Sequence, residues 1–106
     1  MDNKKLRVYI SGAISNNPNF KLQFGLAEAE LKSQGFDVVN PAKMNDIMPE
    51  SATWGEYMDM TLNLLKLCDI IYMLKGWKLS SGANVEYNYA KGVKMGIKFQ
   101  NEGEDE

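Results

Sequence analysis

Apolar residues fall into short runs that are separated by longer amphipathic stretches. The runs are residues 6–10 (LRVYI), 36–40 (FDVVN), 69–74 (DIIYML) and 96–100 (GIKFQ), and β-branched and aromatic side chains make them typical of strands. The third run is almost wholly apolar, as in a central parallel strand covered on both faces. The pattern therefore predicts a sheet of four to five strands.

Three stretches between these runs predict helices. The first opens at Asn17 and Pro18, a suitable cap and first-turn pair, and continues to Gly35, which suits a helix C-cap. The second follows Thr53, which has capping-box spacing to a glutamate, and the third spans residues 81–95. Their apolar positions recur at helical spacing, for example at Phe20, Phe24, Ala27 and Leu31.

Strands that alternate with helices predict a three-layer, doubly wound α/β fold with a parallel sheet, of the Rossmann or flavodoxin type. The 106 residues fit a single domain over residues 1–106, with residues 101–106 as a disordered acidic tail. Ligands in such sheets bind beyond the carboxyl ends of the strands, where strand order reverses. Residues 11–17 and 75–81 follow strand ends and are rich in Gly, Ser and Asn, while residues 41–52 predict a long loop.

Composition narrows the function classes. The net charge of −2 has no basic cluster, so polymeric nucleic acid is not an expected partner. The chain has no histidine and one cysteine, Cys68, which predicts no metal site, no cofactor and a reducing compartment. No apolar stretch reaches the roughly 20 residues of a membrane helix, so we expect a cytoplasmic protein without a membrane partner.

One acidic residue of the third predicted helix falls among apolar positions. At about 100° per residue, Glu86 shares an arc with Val85, Tyr89, Ala90 and Val93. Burying an ionised carboxylate costs several kcal/mol unless it is paired or hydrogen-bonded. Glu86 therefore either complements the helix dipole or performs chemistry, and a carboxylate at a pocket edge can attack an electron-poor anomeric carbon.

Three segments carry a resemblance to a known family: YISGAI at 9–14, VVNPA at 38–42 and CDIIYMLKGWKLSSGANVE at 68–86. Together they resemble the nucleoside 2-deoxyribosyltransferase-like superfamily, and most of all its small phage and prophage branch, which is DUF4406-like. The resemblance covers residues 6–100 and implies a doubly wound parallel sheet. It also implies an enzyme that transfers a base between deoxyriboses or hydrolyses the N-glycosidic bond of deoxynucleoside monophosphates.

The resemblance also assigns roles to residues. It implies that Glu86 is the nucleophile that forms a glycosyl-enzyme intermediate, and that Tyr9 lies near the sugar. The loop that approaches the substrate corresponds to Ser11, Gly12, Ala13 and Ile14. Ser80 and Gly82 match positions that contact the sugar or its 5′-phosphate, where a helix start also favours an anion. The implied partners are a nucleoside or nucleoside monophosphate and a second copy of the chain in a homodimer.

The chain departs from the family pattern at two places. Related enzymes carry an aspartate on the second helix where this chain has Thr61, and Asp59 is the nearest candidate for its catalytic role. The loop arginine of the monophosphate hydrolases is also absent, with Ser15 near its place. A nucleotide-binding module with weakened catalysis is therefore the alternative function. Trp77 has two interpretations, stacking on a base or covering the sheet edge.

Overall fold

A computed structural model describes residues 4–100, and within them four strands alternate with three α-helices. The acidic tail predicted for residues 101–106 lies outside the described residues. The strands are β1 (Arg7–Ser11), β2 (Asp37–Val39), β3 (Ile70–Met73) and β4 (Gly96–Phe99). The helices are α1 (Phe20–Ser33), α2 (Trp54–Leu65) and α3 (Ser81–Gly92), with 3₁₀ segments at Pro41–Asp46 and Trp77–Leu79.

The four strands form one parallel sheet in the order β2-β1-β3-β4. The chain moves from β1 to one side to build β2, then crosses to the other side to build β3 and β4. Because crossovers between parallel strands are right-handed, the two directions of winding place α1 on one face and α2 with α3 on the other. The predicted three-layer, Rossmann/flavodoxin-like α/β fold is confirmed, with four strands.

Alternation along the strands divides the core between the two faces. On β1, Val8 and Ile10 pack towards α1, whereas Tyr9 packs towards α2 and α3. The first cluster contains Val8, Ile10, Phe24, Ala27, Leu31, Ala42, Tyr72 and Leu74. The second contains Tyr9, Leu65, Ile71, Met73, Trp77, Ala83 and Ala90. Both faces of the sheet are thereby covered, as the apolar third run predicted.

Helix starts were predicted unequally well. The capping box of α2 is present, because the Thr53 hydroxyl accepts from the Glu56 backbone N–H and the Glu56 carboxylate accepts from that of Thr53. The prediction that α1 begins at Asn17 and Pro18 was wrong, since the helix begins at Phe20. The Asn17 amide instead donates to the Ala13 carbonyl, at 2.9 Å, and so holds the preceding loop.

The arc predicted for α3 was placed incorrectly around the helix. Val85 and Val93 are exposed, at 38% and 51%, and the buried residues of α3 are Ala83, Glu86 and Ala90. The helix also ends at Gly92 and not near residue 95. The prediction treated Val85 and Val93 as part of the buried face because they are apolar, although both lie outside it. The burial of Glu86 itself is confirmed.

Candidate functional site

A cavity of about 690 Å³ opens at the carboxyl end of β1, beside the segment that leads from β3 into α3, where the strand order reverses. This is the position at which doubly wound sheets bind ligands. Its wall comes from the end of β1 and the loop after it, the start of α1, residues 41–54, α2 and the start of α3. The residues around its floor are Tyr9, Gly12, Met58, Thr61, Ala83 and Glu86.

Glu86 lies at the floor of this cavity and is only 6% exposed. The Tyr9 hydroxyl donates to its Oε2 at 2.7 Å, and the Ser11 hydroxyl donates to its Oε1 at 2.7 Å. Each carboxylate oxygen therefore has one hydroxyl donor, and both donors come from β1. Glu86 is the sixth residue of α3, beyond the first turn where the helix dipole acts, so the structure gives no support to the dipole interpretation.

Burial sets the electrostatics of the site. Removal from water raises the pKa of Glu86, while the hydrogen bonds from Tyr9 and Ser11 and the nearby Thr61 hydroxyl act in the opposite direction. The pKa of Tyr9 is raised well above its ordinary value, first by burial and then by the negative charge of Glu86. Tyr9 therefore keeps its proton and serves as a permanent donor to the carboxylate.

The start of α3 is fixed by a cap and by close packing. Ser80 is the N-cap, and its hydroxyl accepts from the Ala83 backbone N–H at 3.1 Å. A Cβ on Gly82 would lie 3.2 Å from the Met58 sulfur, so a glycine here lets α3 approach α2. This approach brings the first turn of α3 to the cavity, together with Glu86 one turn later.

Gly12 allows the two central strand ends to lie close together. A Cβ at this position would lie 3.0 Å from both Cβ and Cδ1 of Leu74, which is fully buried and has little room to move. We expect Gly12→Ala to destabilise the protein by about 1–3 kcal/mol through overpacking. Chemical denaturation measures the loss.

The matched control is Gly25→Ala on the exposed side of α1, where an added Cβ meets nothing within 4 Å. We expect this variant to be more stable by about 0.5–1 kcal/mol, because alanine is the better helix former. Equal stability changes in the two variants would contradict the proposed close approach at Gly12.

The cavity contains most, but not all, of the predicted site residues. Tyr9, Gly12, Ile14, Ser80, Gly82 and Glu86 line it, and Ser11 contacts Glu86 directly. Ala13 does not line it, and its carbonyl contacts Asn17. Asp59 is exposed and points away from the cavity, because a helix turns about 200° between positions 59 and 61.

Trp77 is not at the cavity either, and the structure favours its role in covering the sheet. It is 4% exposed and packs on Tyr87 and Phe99, with ring centroids 4.6 Å and 6.3 Å away. Phe99 belongs to the edge strand β4. Base stacking by Trp77 therefore has no geometric support.

Sequence reasoning placed only positions 59 and 61 of α2 at the site and missed its other residues. Trp54, Tyr57, Met58 and Thr61 all line the cavity. Thr61 is 1% exposed, and its hydroxyl, which donates to the Met58 carbonyl at 3.2 Å, is close enough to lower the pKa of both Glu86 and Tyr9. The signal was present in the spacing of i, i+3, i+4 and i+7, which places all four residues on one face of a helix. The long segment before α2 was a second signal, because long loops in small domains often form binding walls.

Charged groups are sparse around the cavity. Among the residues that line it in the described chain, the carboxylates are Glu50 and Glu86, and there is no lysine or arginine.

Within residues 4–100, no three His, Cys, Asp or Glu side chains gather as metal ligands would. The Cys68 thiol is half-buried, with its pKa raised by burial to about 11, so it is not a reactive nucleophile. No α-helix of this part of the chain has the length and apolar character needed to cross a bilayer.

The buried carboxylate has a consequence for stability. A folded-state pKa above the unfolded value means that the unfolded chain ionises first as pH rises. The stability contributed by Glu86 is then complete below the unfolded pKa and is lost as pH rises towards the folded pKa. We therefore expect Glu86→Gln to be more stable than the unsubstituted protein at neutral pH, with a smaller difference in acid.

Urea denaturation of both proteins at about pH 4 and about pH 7 measures this difference. Other acidic groups are common to the two proteins and cancel in the comparison. A stability difference that stays the same at both pH values would show that burial does not raise the pKa of Glu86.

A search of curated proteins found no match to this chain. The family model described as "Domain of unknown function (DUF4406)" matches residues 6–99. The match runs from the residue before β1 to the end of β4, and so includes the whole sheet and every element around the cavity. The chain therefore belongs to the DUF4406 family.

Proposed function

We propose that this protein cleaves or transfers the N-glycosidic bond of a nucleoside, with Glu86 as the nucleophile. One observation carries the proposal: a buried carboxylate at the floor of the cavity accepts one hydrogen bond on each oxygen from Tyr9 and Ser11. The two donors hold the carboxylate in a fixed orientation and favour its ionised form. These hydrogen bonds offset only part of the cost of burial, since the pKa of Glu86 is still raised, and a chemical role accounts for keeping the acid at this position.

The chemistry follows from what a fixed carboxylate can do. One Glu86 oxygen bonds to the anomeric carbon while the bond from that carbon to the base nitrogen breaks, and the electron pair leaves with the base. Water then attacks the glycosyl ester to complete hydrolysis, or a second base attacks it to complete transfer. Both outcomes use the same first step.

The charges of the cavity favour a nucleoside over its monophosphate. The lining residues in the described chain contribute carboxylates and no lysine or arginine, which disfavours a bound dianion. The start of α3, with Ser80 and Gly82, is the place where a phosphate would still find backbone N–H groups. The cavity is therefore better suited to a nucleoside than to a nucleoside monophosphate.

Release of free base is the direct test. The protein is incubated with the four deoxynucleosides and their 5′-monophosphates, with and without a second base, and the products are separated by chromatography. A 2-fluorinated nucleoside analogue, which slows breakdown of the intermediate, should leave a mass adduct on the peptide that contains Glu86. No free base from any substrate, with no adduct, would overturn the proposal.

A second function is favoured by a specific observation. Thr61 is buried beside Glu86, and α2 presents no carboxylate to the cavity, so a binding module with weakened catalysis is the alternative. Calorimetry separates the two functions: micromolar binding of a nucleoside or nucleotide without base release would favour the module. Efficient release would exclude it.

A further inference from the structure

One face of α2 lines the cavity from its floor to its rim. Thr61, at the floor, is 1% exposed, Met58 is 6% exposed, and Trp54, at the rim, is 55% exposed. Tyr57 is half-buried between them. At about 1.5 Å of rise per residue, Tyr57 lies about 6 Å along the helix from Thr61. Thr61 is a neighbour of Glu86, so Tyr57 lies one helical turn further along the same cavity wall, where it can contact the base of a nucleoside whose sugar is held at Glu86.

The Tyr57 hydroxyl is available as a hydrogen-bond donor. It donates to the Pro41 carbonyl at 3.2 Å, which is long for an O–H···O bond and is easily exchanged for a better acceptor. Burial, followed by the negative charge of Glu86, raises the pKa of Tyr57 to about 12. The phenol is therefore protonated throughout the neutral range. Tyr57 and Glu86 line the same cavity and are close enough for the charge of Glu86 to affect Tyr57.

We propose that Tyr57 donates a hydrogen bond to the departing base, a role for which α2 offers no carboxylate in this chain. The inference rests on the proposed function and names a further catalytic residue within it. As the anomeric carbon–nitrogen bond breaks, negative charge develops on the nitrogen and oxygen atoms of the base, and the phenol O–H stabilises that charge. The base takes the proton that finally neutralises it from the solvent after it has left, and Tyr57 keeps its own proton as a hydrogen-bond donor throughout.

A comparison of two leaving groups tests this role. Hypoxanthine leaves 2′-deoxyinosine as an anion, whereas 7-methylguanine leaves 7-methyl-2′-deoxyguanosine as a neutral molecule that needs no donor. We expect Tyr57→Phe to lower kcat on 2′-deoxyinosine by about 10- to 100-fold. On the methylated substrate the loss should stay below about threefold, because no negative charge develops on the base.

The matched control is Tyr87→Phe, at a tyrosine that packs on Trp77 away from the cavity, and it should leave both rates unchanged. Partial unfolding lowers both rates together, so the ratio of the two rates reports the hydroxyl and not the fold. Equal losses on both substrates in Tyr57→Phe would overturn the inference while the proposed function stands. No free base from these two substrates or from the panel of deoxynucleosides and monophosphates, with no adduct on Glu86, would overturn the proposed function and this inference with it.

Discussion

Glu86→Gln should lower the rate of N-glycoside cleavage by about 10³-fold or more while leaving the protein folded. Glutamine keeps the size of the side chain and an acceptor for the Tyr9 or Ser11 hydroxyl, but it has no negative charge with which to attack the sugar. Initial rates of base release from a deoxynucleoside measure the effect. The matched control is Glu30→Gln on the exposed face of α1, which should retain full activity.

Two further measurements distinguish a nucleophile from a residue that only supports the wall. Added azide or formate should partly restore cleavage in Glu86→Ala, because a small anion fits the space left by the carboxylate. The acidic limb of kcat/KM should lie above the ordinary pKa of glutamate, since burial raises the pKa of Glu86. Full activity in Glu86→Gln, or an acidic limb unchanged by the substitution, would remove Glu86 from the mechanism.

Thr61→Asp should raise kcat by about 10²-fold on substrates whose base leaves as an anion. The Thr61 side chain is a neighbour of both Glu86 and Tyr9 at the cavity floor, so an aspartate there would face the reacting carbon. Two close carboxylates do not ionise together readily, and the pair would hold a proton that can pass to the leaving base. Steady-state kinetics on 2′-deoxyinosine measures the gain.

Thr61→Asn is the control, because asparagine has the shape of aspartate without a transferable proton, and it should give no gain. The new acid also has a cost: burying it at a position 1% exposed should destabilise the fold by about 1–3 kcal/mol. A rate increase in Thr61→Asn equal to that in Thr61→Asp would attribute the change to pocket shape. Unchanged kinetics in a folded Thr61→Asp protein would contradict the assignment of position 61 to leaving-group chemistry.

Local patterns predicted the elements well, because each pattern reports a local cause. The Thr53 capping box and the turn at Gly35, where φ is +95°, depend on a few neighbouring residues and were predicted correctly. Asn17 was predicted as a helix cap because its residue type suits that role, but its amide holds the loop before the helix. The sequence allowed Trp77 either to stack on a base or to cover the sheet edge. It packs on Phe99 because β4 pairs with β3, which no local pattern shows.

The sequence alone determined a parallel α/β domain and a glutamate buried on its last helix, since strand and helix periods are written in consecutive residues. The tertiary structure alone decided what that glutamate meets. Its partners Tyr9 and Ser11 lie 77 and 75 positions earlier in the chain, and Thr61 and Tyr57 approach from another helix. The spacing of apolar residues along the chain does not predict these contacts, because they require β1 to pair with β3 and α2 to pack beside α3 on the same face of the sheet.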